Sequence, residues 1–203
     1  MNKFVIICGG ECRTEKIPRK IFENSYVIAA DSGYDTARKL GVTPDLLVGD
    51  MDSISEIPTG VEIYRVKAEK DDTDTMLAIS IAKERGAREI ILVGGGGGRL
   101  DHLLSNVFML ESLADEGIRH RMYDGTNEVF VLSNGEATLE NRSGYFGLIA
   151  LEDSVVTAIG CKYPLSEATL KRTLPYAVSN EVTDTESKIK VRGKVIVILS
   201  AKS

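Results

Sequence analysis

Residues 44–53, PDLLVGDMDS, and residues 61–74, VEIYRVKAEKDDTD, share one pattern: an apolar run that leads into a cluster of carboxylates. The runs Leu46 to Val48 and Val61 to Val66 predict β-strands. If both strands lie in one parallel sheet, the two acidic clusters meet at its carboxyl edge. Open α/β sheets bind their ligands at that edge.

The clusters contain five carboxylates, those of Asp50, Asp52, Asp71, Asp72 and Asp74. Two like charges about 5 Å apart repel by roughly 3 kcal/mol at an effective dielectric near 20. Such groups therefore either spread into water or share a cation. Asp, Gly and Ser are also common turn residues, so two solvated turns are the alternative interpretation. The placement of both clusters after strands favours a divalent metal site.

Composition limits the class of protein. The chain has 203 residues, of which 43% are hydrophobic and 27% charged, as in soluble globular proteins. A net charge of -5 argues against a nucleic-acid partner. No apolar run approaches the roughly 20 residues that cross a bilayer, and the N-terminus lacks the features of a signal peptide. The three cysteines do not have zinc-site spacing, so we expect reduced thiols in a cytoplasmic protein.

Residues 1–124 alternate between strand and helix patterns, which predicts an α/β domain with an open, mostly parallel sheet and helices on both faces. Predicted strands lie at Lys3 to Cys8, Tyr26 to Ala30, Leu46 to Val48, Val61 to Val66, Ile90 to Val93 and Ile118 to Tyr123. Predicted helices end at Leu40 and span Thr73 to Arg85 and Leu103 to Leu113.

Residues 125–203 lack helical periodicity and predict a small β-sandwich. Its predicted strands are Val129 to Leu132, Ala137 to Leu139, Tyr145 to Leu151, Val155 to Cys161, Tyr176 to Val178, Lys188 to Val191 and Val195 to Leu199. A domain of fewer than about 80 residues is only marginally stable alone. We therefore expect it to pack on its neighbour and on a second copy of itself.

Two glycine-rich turns are candidate phosphate sites. Gly9 and Gly10 follow the first strand, with Arg13 nearby, although a simple β-to-α turn explains them equally well. The run Gly94 to Gly98 lies between a strand and a helix, where backbone N–H groups bind phosphates. It matches neither a Walker A loop nor a clean dinucleotide fingerprint. Asp31, at the end of the second strand, either caps the next helix or binds a hydroxyl or metal.

Several motifs occur in a fixed order along the chain: Asp31-Ser-Gly, Pro44-Asp45, Gly49-Asp-x-Asp-Ser53, Lys70-Asp-x-Thr-Asp74, Gly98-Arg-x-Asp-His102, Asn106, Gly160-Cys-Lys-Tyr-Pro-Leu165 and Ser179-Asn-Glu181. This ordered set resembles the thiamine pyrophosphokinase family. The resemblance covers both predicted domains. It implies a homodimer that transfers diphosphate from ATP to the hydroxyl of thiamine, with AMP as the second product. It also implies that thiamine binds between the α/β domain of one subunit and the β domain of the other.

The resemblance also implies roles for individual residues. Mg²⁺ would be bound by Asp50, Asp52, Asp71 and Asp74, with Asp101 as a further ligand or the acceptor of the hydroxyl proton. Lys70 and Arg99 would neutralise phosphate charge. The nucleotide would be bound by Gly9, Gly10, Arg13, Asp31, Gly97, Gly98, His102 and Asn106. The chain lacks Trp, so Tyr163 or Tyr176 would stack on thiamine, and Ser179 and Asn180 would make polar contacts to it.

Two other functions use the same residues. A metal-dependent phosphohydrolase would employ the carboxylates to activate water and would release phosphate without an acceptor. A non-enzymatic nucleotide-binding regulator would bind ATP without forming AMP. The pyrophosphokinase is preferred over both because it accounts for the motifs of both domains.

Overall fold

The computed structural model describes residues 2–51, 59–65 and 73–202. Asp52, Lys70 and Asp71, which carry predicted roles, lie outside the described residues. The chain divides into two compact units, Met1–Gly125 and Thr126–Ser203. Within the described ranges, no helix combines the length and the apolar character that crossing a bilayer requires.

The first unit contains a six-stranded sheet in which every neighbouring pair is parallel. Its strands are β1 (Lys3–Ile7), β2 (Tyr26–Ala30), β3 (Leu46–Gly49), β4 (Glu62–Arg65), β5 (Glu89–Val93) and β6 (Arg119–Tyr123). Its helices are α1 (Gly33–Leu40), α2 (Asp74–Glu84) and α3 (Leu100–Asp115). Short 3-10 helices at Thr14–Lys16 and Arg19–Phe22 precede β2. Each predicted strand and helix of this unit is present, and the predicted α/β fold class is confirmed.

The strand order of this unit is β4-β3-β2-β1-β5-β6. The chain moves outward from β1 through β4, and then returns to the other side of β1 with β5. The loop after β1 therefore runs toward β2, and the loop after β5 runs in the opposite direction, toward β6. This arrangement opens a crevice at the carboxyl edge, where open α/β sheets bind ligands.

Helices cover both faces of the sheet. Val5 and Ile7 pack with Ala37 of α1 in one core cluster. Phe4 and Ile6 point to the opposite face by the alternation of strand side chains, and they are buried as well. The helix α2 contacts β1, β2 and β3, and α3 contacts β6. Burial on both faces explains why these strands are continuous apolar runs.

Helix boundaries follow local signals. Gly41 ends α1 with a φ of 64°, the left-handed conformation that glycine adopts without steric cost, as expected from its position. The hydroxyl of Thr73 accepts a hydrogen bond from the Met76 N–H at 3.2 Å and caps α2. The helix α3 begins at Leu100, three residues before the predicted start, and Asp101 lies in its first turn, where the helix dipole favours an anion.

The second unit is built from seven antiparallel strands. They are β7 (Asn127–Ser133), β8 (Glu136–Glu140), β9 (Gly144–Ala150), β10 (Ser154–Ile159), β11 (Leu165–Leu170), β12 (Glu186–Arg192) and β13 (Lys194–Ala201). The strands pair in the orders β7-β13-β9 and β11-β10-β12-β8. Side chains from both groups, such as Leu148, Val197, Val156 and Ile189, form one core. The predicted all-β fold is confirmed.

One predicted strand of this unit is wrong. Residues 176–178 lie in an irregular segment, although the Ala177 carbonyl accepts a hydrogen bond from the Leu148 N–H at 2.7 Å. The strand that sequence analysis missed is β11, at the edge of its sheet. Three of its six residues are exposed and one is buried, so its apolar pattern is weak.

Candidate functional site

A cavity of about 420 Å³ lies at the carboxyl edge of the first unit's sheet. This volume is in the range of small-molecule binding sites. Its walls come from the ends of β1, β2 and β5 and from the first turns of α2 and α3. The lining residues are Cys8, Gly9, Gly10, Glu11, Ala30, Asp31, Ser32, Thr73, Asp74, Thr75, Gly94, Gly95, Gly97, Gly98, Arg99, His102 and Asn106.

The two glycine-rich loops pack directly against each other. A Cβ at Gly10 would overlap the carbonyl oxygen of Gly94 and lie 2.8 Å from that of Gly97. A Cβ at Gly97 would lie 2.7 Å from the Cβ of Glu11. These distances are too short for any side chain. Glycine is therefore required at Gly10 and Gly97 by contact between the loops, a reason that the sequence did not reveal.

Most of the five-glycine run is explained by close packing within the protein. A Cβ at Gly95 would lie 2.8 Å from the Met122 sulfur, and one at Gly96 would lie 2.5 Å from a carboxylate oxygen of Asp124. At Gly98, with a φ of 86°, the same position is open space. Close approach of a ligand to the backbone is consequently best supported at Gly98.

Two of the predicted acidic residues are brought together by the fold. Asp31 follows β2, with a φ of 49° and its N–H donated to the Val48 carbonyl at 2.7 Å. Asp74 is the first residue of α2. Both line the cavity. Asp50 follows β3 directly and is not among the lining residues.

Among residues 2–51, 59–65 and 73–202, no group of three or more His, Cys, Asp or Glu side chains is arranged to hold a metal ion. The predicted ligands Asp52 and Asp71 lie outside those ranges. Asp31 and Asp74, together with Glu11, present carboxylate groups in one cavity. Magnesium sites commonly use one or two carboxylates and complete the coordination with water and substrate phosphates. The donor set therefore fits Mg²⁺.

Arg99 and Asp101 form a bidentate ion pair at the mouth of the cavity. The Arg99 Nε donates to one carboxylate oxygen at 3.1 Å, and an Arg99 terminal nitrogen donates to the other at 2.5 Å. The Asp101 carboxylate also accepts the His102 N–H at 3.0 Å. Hydrogen bonding to Arg99 lowers the pKa of Asp101. Asp101 is thus held in its ionised form. Of the two residues of this ion pair, Arg99 lines the cavity and Asp101 does not.

Several lining residues were given no role in the sequence. Ser32 and Thr73 belong to the motifs Asp31-Ser-Gly and Lys70-Asp-x-Thr-Asp74, whereas Cys8, Glu11 and Thr75 are only close in sequence to predicted site residues. Burial raises the pKa of the Cys8 thiol to about 11, so this thiol is protonated at neutral pH and is not a nucleophile.

Arg13 lies outside the cavity lining. Its backbone N–H donates to the Asp124 carbonyl at 2.9 Å, which joins the loop after β1 to the end of β6. Packing is tight here, because a Cβ at Gly125 would lie 2.7 Å from the Arg13 Cβ. The backbone of Arg13 therefore helps to hold this loop against the end of β6. The phosphate contact of its side chain stays a prediction.

The predicted thiamine contacts lie in the second unit. Asn180 is buried, and its side chain accepts the Tyr163 N–H at 3.0 Å and donates to the Tyr163 carbonyl at 2.8 Å. Asn180 therefore holds the backbone of Tyr163 in place. Tyr163 is 58% exposed, which leaves the residue accessible to a ligand. Ser179 is exposed and has a φ of 57°.

Two family models match the chain, one in each unit. The catalytic domain of thiamin pyrophosphokinase matches residues 18–122, and the vitamin B1 binding domain of thiamin pyrophosphokinase matches residues 136–196. The first match covers more than half of the chain by itself. It contains most of the cavity lining described above.

Individual proteins agree with these models. The chain is 28% identical over 189 residues to a thiamine pyrophosphokinase of Bacillus subtilis strain 168, with 87% of each chain covered. A crystal structure of thiamine pyrophosphokinase from Bacillus subtilis superposes with a TM-score of 0.88 over 100% of both chains, at 28% identity. A second, from Geobacillus thermodenitrificans, gives a TM-score of 0.81 over 98% of both chains, at 29% identity. The chain belongs to the thiamin pyrophosphokinase family of enzymes.

Proposed function

We propose that this chain transfers a diphosphate group from ATP to the hydroxyl of thiamine, which yields thiamine diphosphate and AMP. The observation that carries the proposal is the cavity at the carboxyl edge of the first unit. It combines carboxylates for a cation, a glycine loop and Arg99 in a chain of the thiamin pyrophosphokinase family.

Diphosphate transfer requires positioning and charge neutralisation more than covalent help from the protein. A bound Mg²⁺ would supply charge neutralisation on the phosphate oxygens. Asp31 and Asp74 would hold it from the cavity wall, together with the predicted ligands Asp50, Asp52 and Asp71.

Phosphate groups would bind on the opposite side of the cavity. Gly97 and Gly98 would bring backbone close to them, and the guanidinium of Arg99 would neutralise their charge. Lys70 would add a second positive charge. Arg99 is already held by Asp101, so a bound phosphate would compete with that carboxylate for the guanidinium. Asp101 would then be available to accept the proton of the attacking hydroxyl.

We also propose that the second unit supplies contacts to thiamine and that the chain forms a homodimer. Tyr163 would stack on the substrate, with Ser179 beside it and Asn180 holding the Tyr163 backbone. Exposed apolar side chains support self-association, because large exposed apolar groups commonly mark interfaces. Three of them, Leu100, Leu104 and Phe108, lie four residues apart on one face of α3.

The test is AMP formation from ATP and Mg²⁺, with and without thiamine. We expect AMP and thiamine diphosphate in equal amounts, only when thiamine is present, and none after the divalent cation is removed with EDTA. Release of inorganic phosphate without thiamine would support the phosphohydrolase instead. ATP binding without AMP formation, across a panel of hydroxyl acceptors, would support the regulator.

A further inference from the structure

Asn106 joins the glycine loop to the helix that follows it. The residue lies in the second turn of α3, and only 6% of it is exposed. Its side-chain Nδ2 donates a hydrogen bond to the carbonyl oxygen of Gly95 at 2.9 Å. Both residues line the cavity. The buried amide is therefore engaged by the protein's own backbone at the start of the loop.

Other contacts restrain the same part of the loop. The Gly94 N–H donates to the Tyr123 carbonyl at 2.8 Å, which fixes the exit from β5. The next residue, Gly95, packs against Met122 and Asn106, because a Cβ there would lie 2.8 Å from the Met122 sulfur and 3.1 Å from the Asn106 Nδ2. Farther along, Gly98 faces open space. Gly94 and Gly95 are thus held by contacts to β6 and α3, whereas Gly96 and Gly97 pack against Asp124 and Glu11.

We propose that Asn106 is a positioning residue, which acts on the nucleotide through the glycine loop rather than by direct contact. Its hydrogen bond holds the Gly95 peptide in place and, together with the packing of Gly96 and Gly97, restrains the path of the loop up to Gly98. This inference rests on the proposed function, because it assumes that the loop binds the phosphates of ATP. It assigns Asn106 a different role from the direct nucleotide contact implied by the family resemblance.

Three variants test the proposal from two sides of the hydrogen bond. Asn106→Leu keeps a similar volume but removes the donor, and Asn106→Asp keeps the shape but replaces the donor with an acceptor. Gly95→Ala keeps the Asn106 side chain but displaces the loop, because the added Cβ would lie 2.8 Å from the Met122 sulfur and 3.1 Å from the Asn106 Nδ2. We expect each variant to raise the KM for ATP about tenfold, because a buried carbonyl loses its partner or the loop moves. The KM for thiamine should stay within about twofold of wild type.

Amide hydrogen exchange of residues 94–99, measured without nucleotide, separates positioning from direct contact. We expect faster exchange in all three variants. Ser112→Ala is the matched control on the same helix. The exposed Ser112 hydroxyl donates to the exposed Glu116 side chain at 3.3 Å, so the exchange and the KM of this variant should match wild type. A raised KM for ATP with unchanged exchange in the Asn106 variants would overturn the proposal in favour of direct contact. Unchanged KM would overturn it too.

The exchange measurement does not depend on the reaction. If the wild-type protein forms no AMP, the proposed function fails, while the exchange rates and the calorimetric affinity for ATP still report on the loop. Faster exchange together with a weakened ATP affinity would then support the role of Asn106. Unchanged exchange in every variant would reject that role, even if the wild type produced thiamine diphosphate.

Discussion

Asp31 and Asp74 are far apart in the chain but lie in one cavity, because β2 and α2 end and begin at the same edge of the sheet. Asp31 has a left-handed backbone conformation, which is uncommon for residues other than glycine. Asp74 sits at a helix N-terminus, where the dipole stabilises its charge.

Asp74→Asn should lower kcat/KM by about two orders of magnitude, because a metal site supplies several kcal/mol of transition-state stabilisation. The fold should be little affected, since loss of one charge at a helix N-terminus costs about 0.3–1 kcal/mol. AMP formation and thermal melting, measured on the same sample, check both expectations. Near-normal turnover would exclude Asp74 from the metal site, and loss of folding would assign it a structural role.

Gly10→Ala should lower the free energy of unfolding by about 1–3 kcal/mol, because the added Cβ overlaps backbone carbonyls of the other glycine loop. Activity should also fall, since both loops line the cavity. Urea denaturation measures the stability change. Gly147→Ala is the matched control: a Cβ at Gly147 would meet its nearest atom at an ordinary 3.8 Å. Equal stability of the two variants would contradict the interlocked packing of the loops.

At the scale of elements, an ion-pair cluster joins the C-terminal end of the second unit to two of its loops. The Glu181 carboxylate accepts hydrogen bonds from Lys162 at 2.7 Å and from Lys202 at 2.8 Å. Lys162 follows β10 and Lys202 follows β13, so one carboxylate joins two segments distant in sequence. These hydrogen bonds, first that of Lys162 and then that of Lys202, lower the pKa of Glu181 to about 2.

This shift predicts a pH dependence of stability. A depressed folded-state pKa stabilises the protein above the unfolded value, and the benefit is lost as pH falls through the folded value. The stability difference between wild type and Glu181→Gln should therefore be present at neutral pH and vanish between about pH 4.5 and pH 2. Melting temperatures of both proteins across this range provide the measurement. A difference that stays constant down to pH 2 would show that the ion pairs contribute nothing.

At the scale of the whole molecule, each compact unit has its own core, and the second unit, Thr126–Ser203, is the smaller of the two. Apolar side chains remain exposed in both units, including Phe108 in the first and Leu174 in the second, at 50% and 62%. A small domain that exposes such groups gains stability by burying them against another surface. Burial of these side chains against a second copy of the chain would stabilise the proposed homodimer.

Light scattering at micromolar concentration should give a molar mass of twice that of one chain. Dilution should cause dissociation only far below that concentration, because an interface that stabilises a small domain must be extensive. A monomer at micromolar concentration would contradict the prediction. The measurement is independent of catalysis and so tests assembly alone.

The sequence by itself determined the fold class and the general location of the cavity. Continuous apolar runs, separated by helical patterns, require a parallel sheet that is buried on both faces, and polar motifs after those runs must then collect at the carboxyl edge. The ordered motifs also identified the family. Weakly patterned segments were harder to predict: β11 is a polar edge strand, and the expected strand at Tyr176 to Val178 is irregular.

Only the tertiary structure decided what individual residues in the motifs contact. The glycines at 10, 95, 96 and 97 are accounted for by neighbours that are distant in sequence, and Asn106 and Asn180 are engaged by backbone groups of Gly95 and Tyr163. The physical reason is that a motif specifies which groups are present, whereas hydrogen bonds and steric contacts depend on which segments meet in space. The stretch from Pro44 to Asp74 predicted a cluster of carboxylates. The reversal of strand order between β1 and β5 determined where the cavity forms.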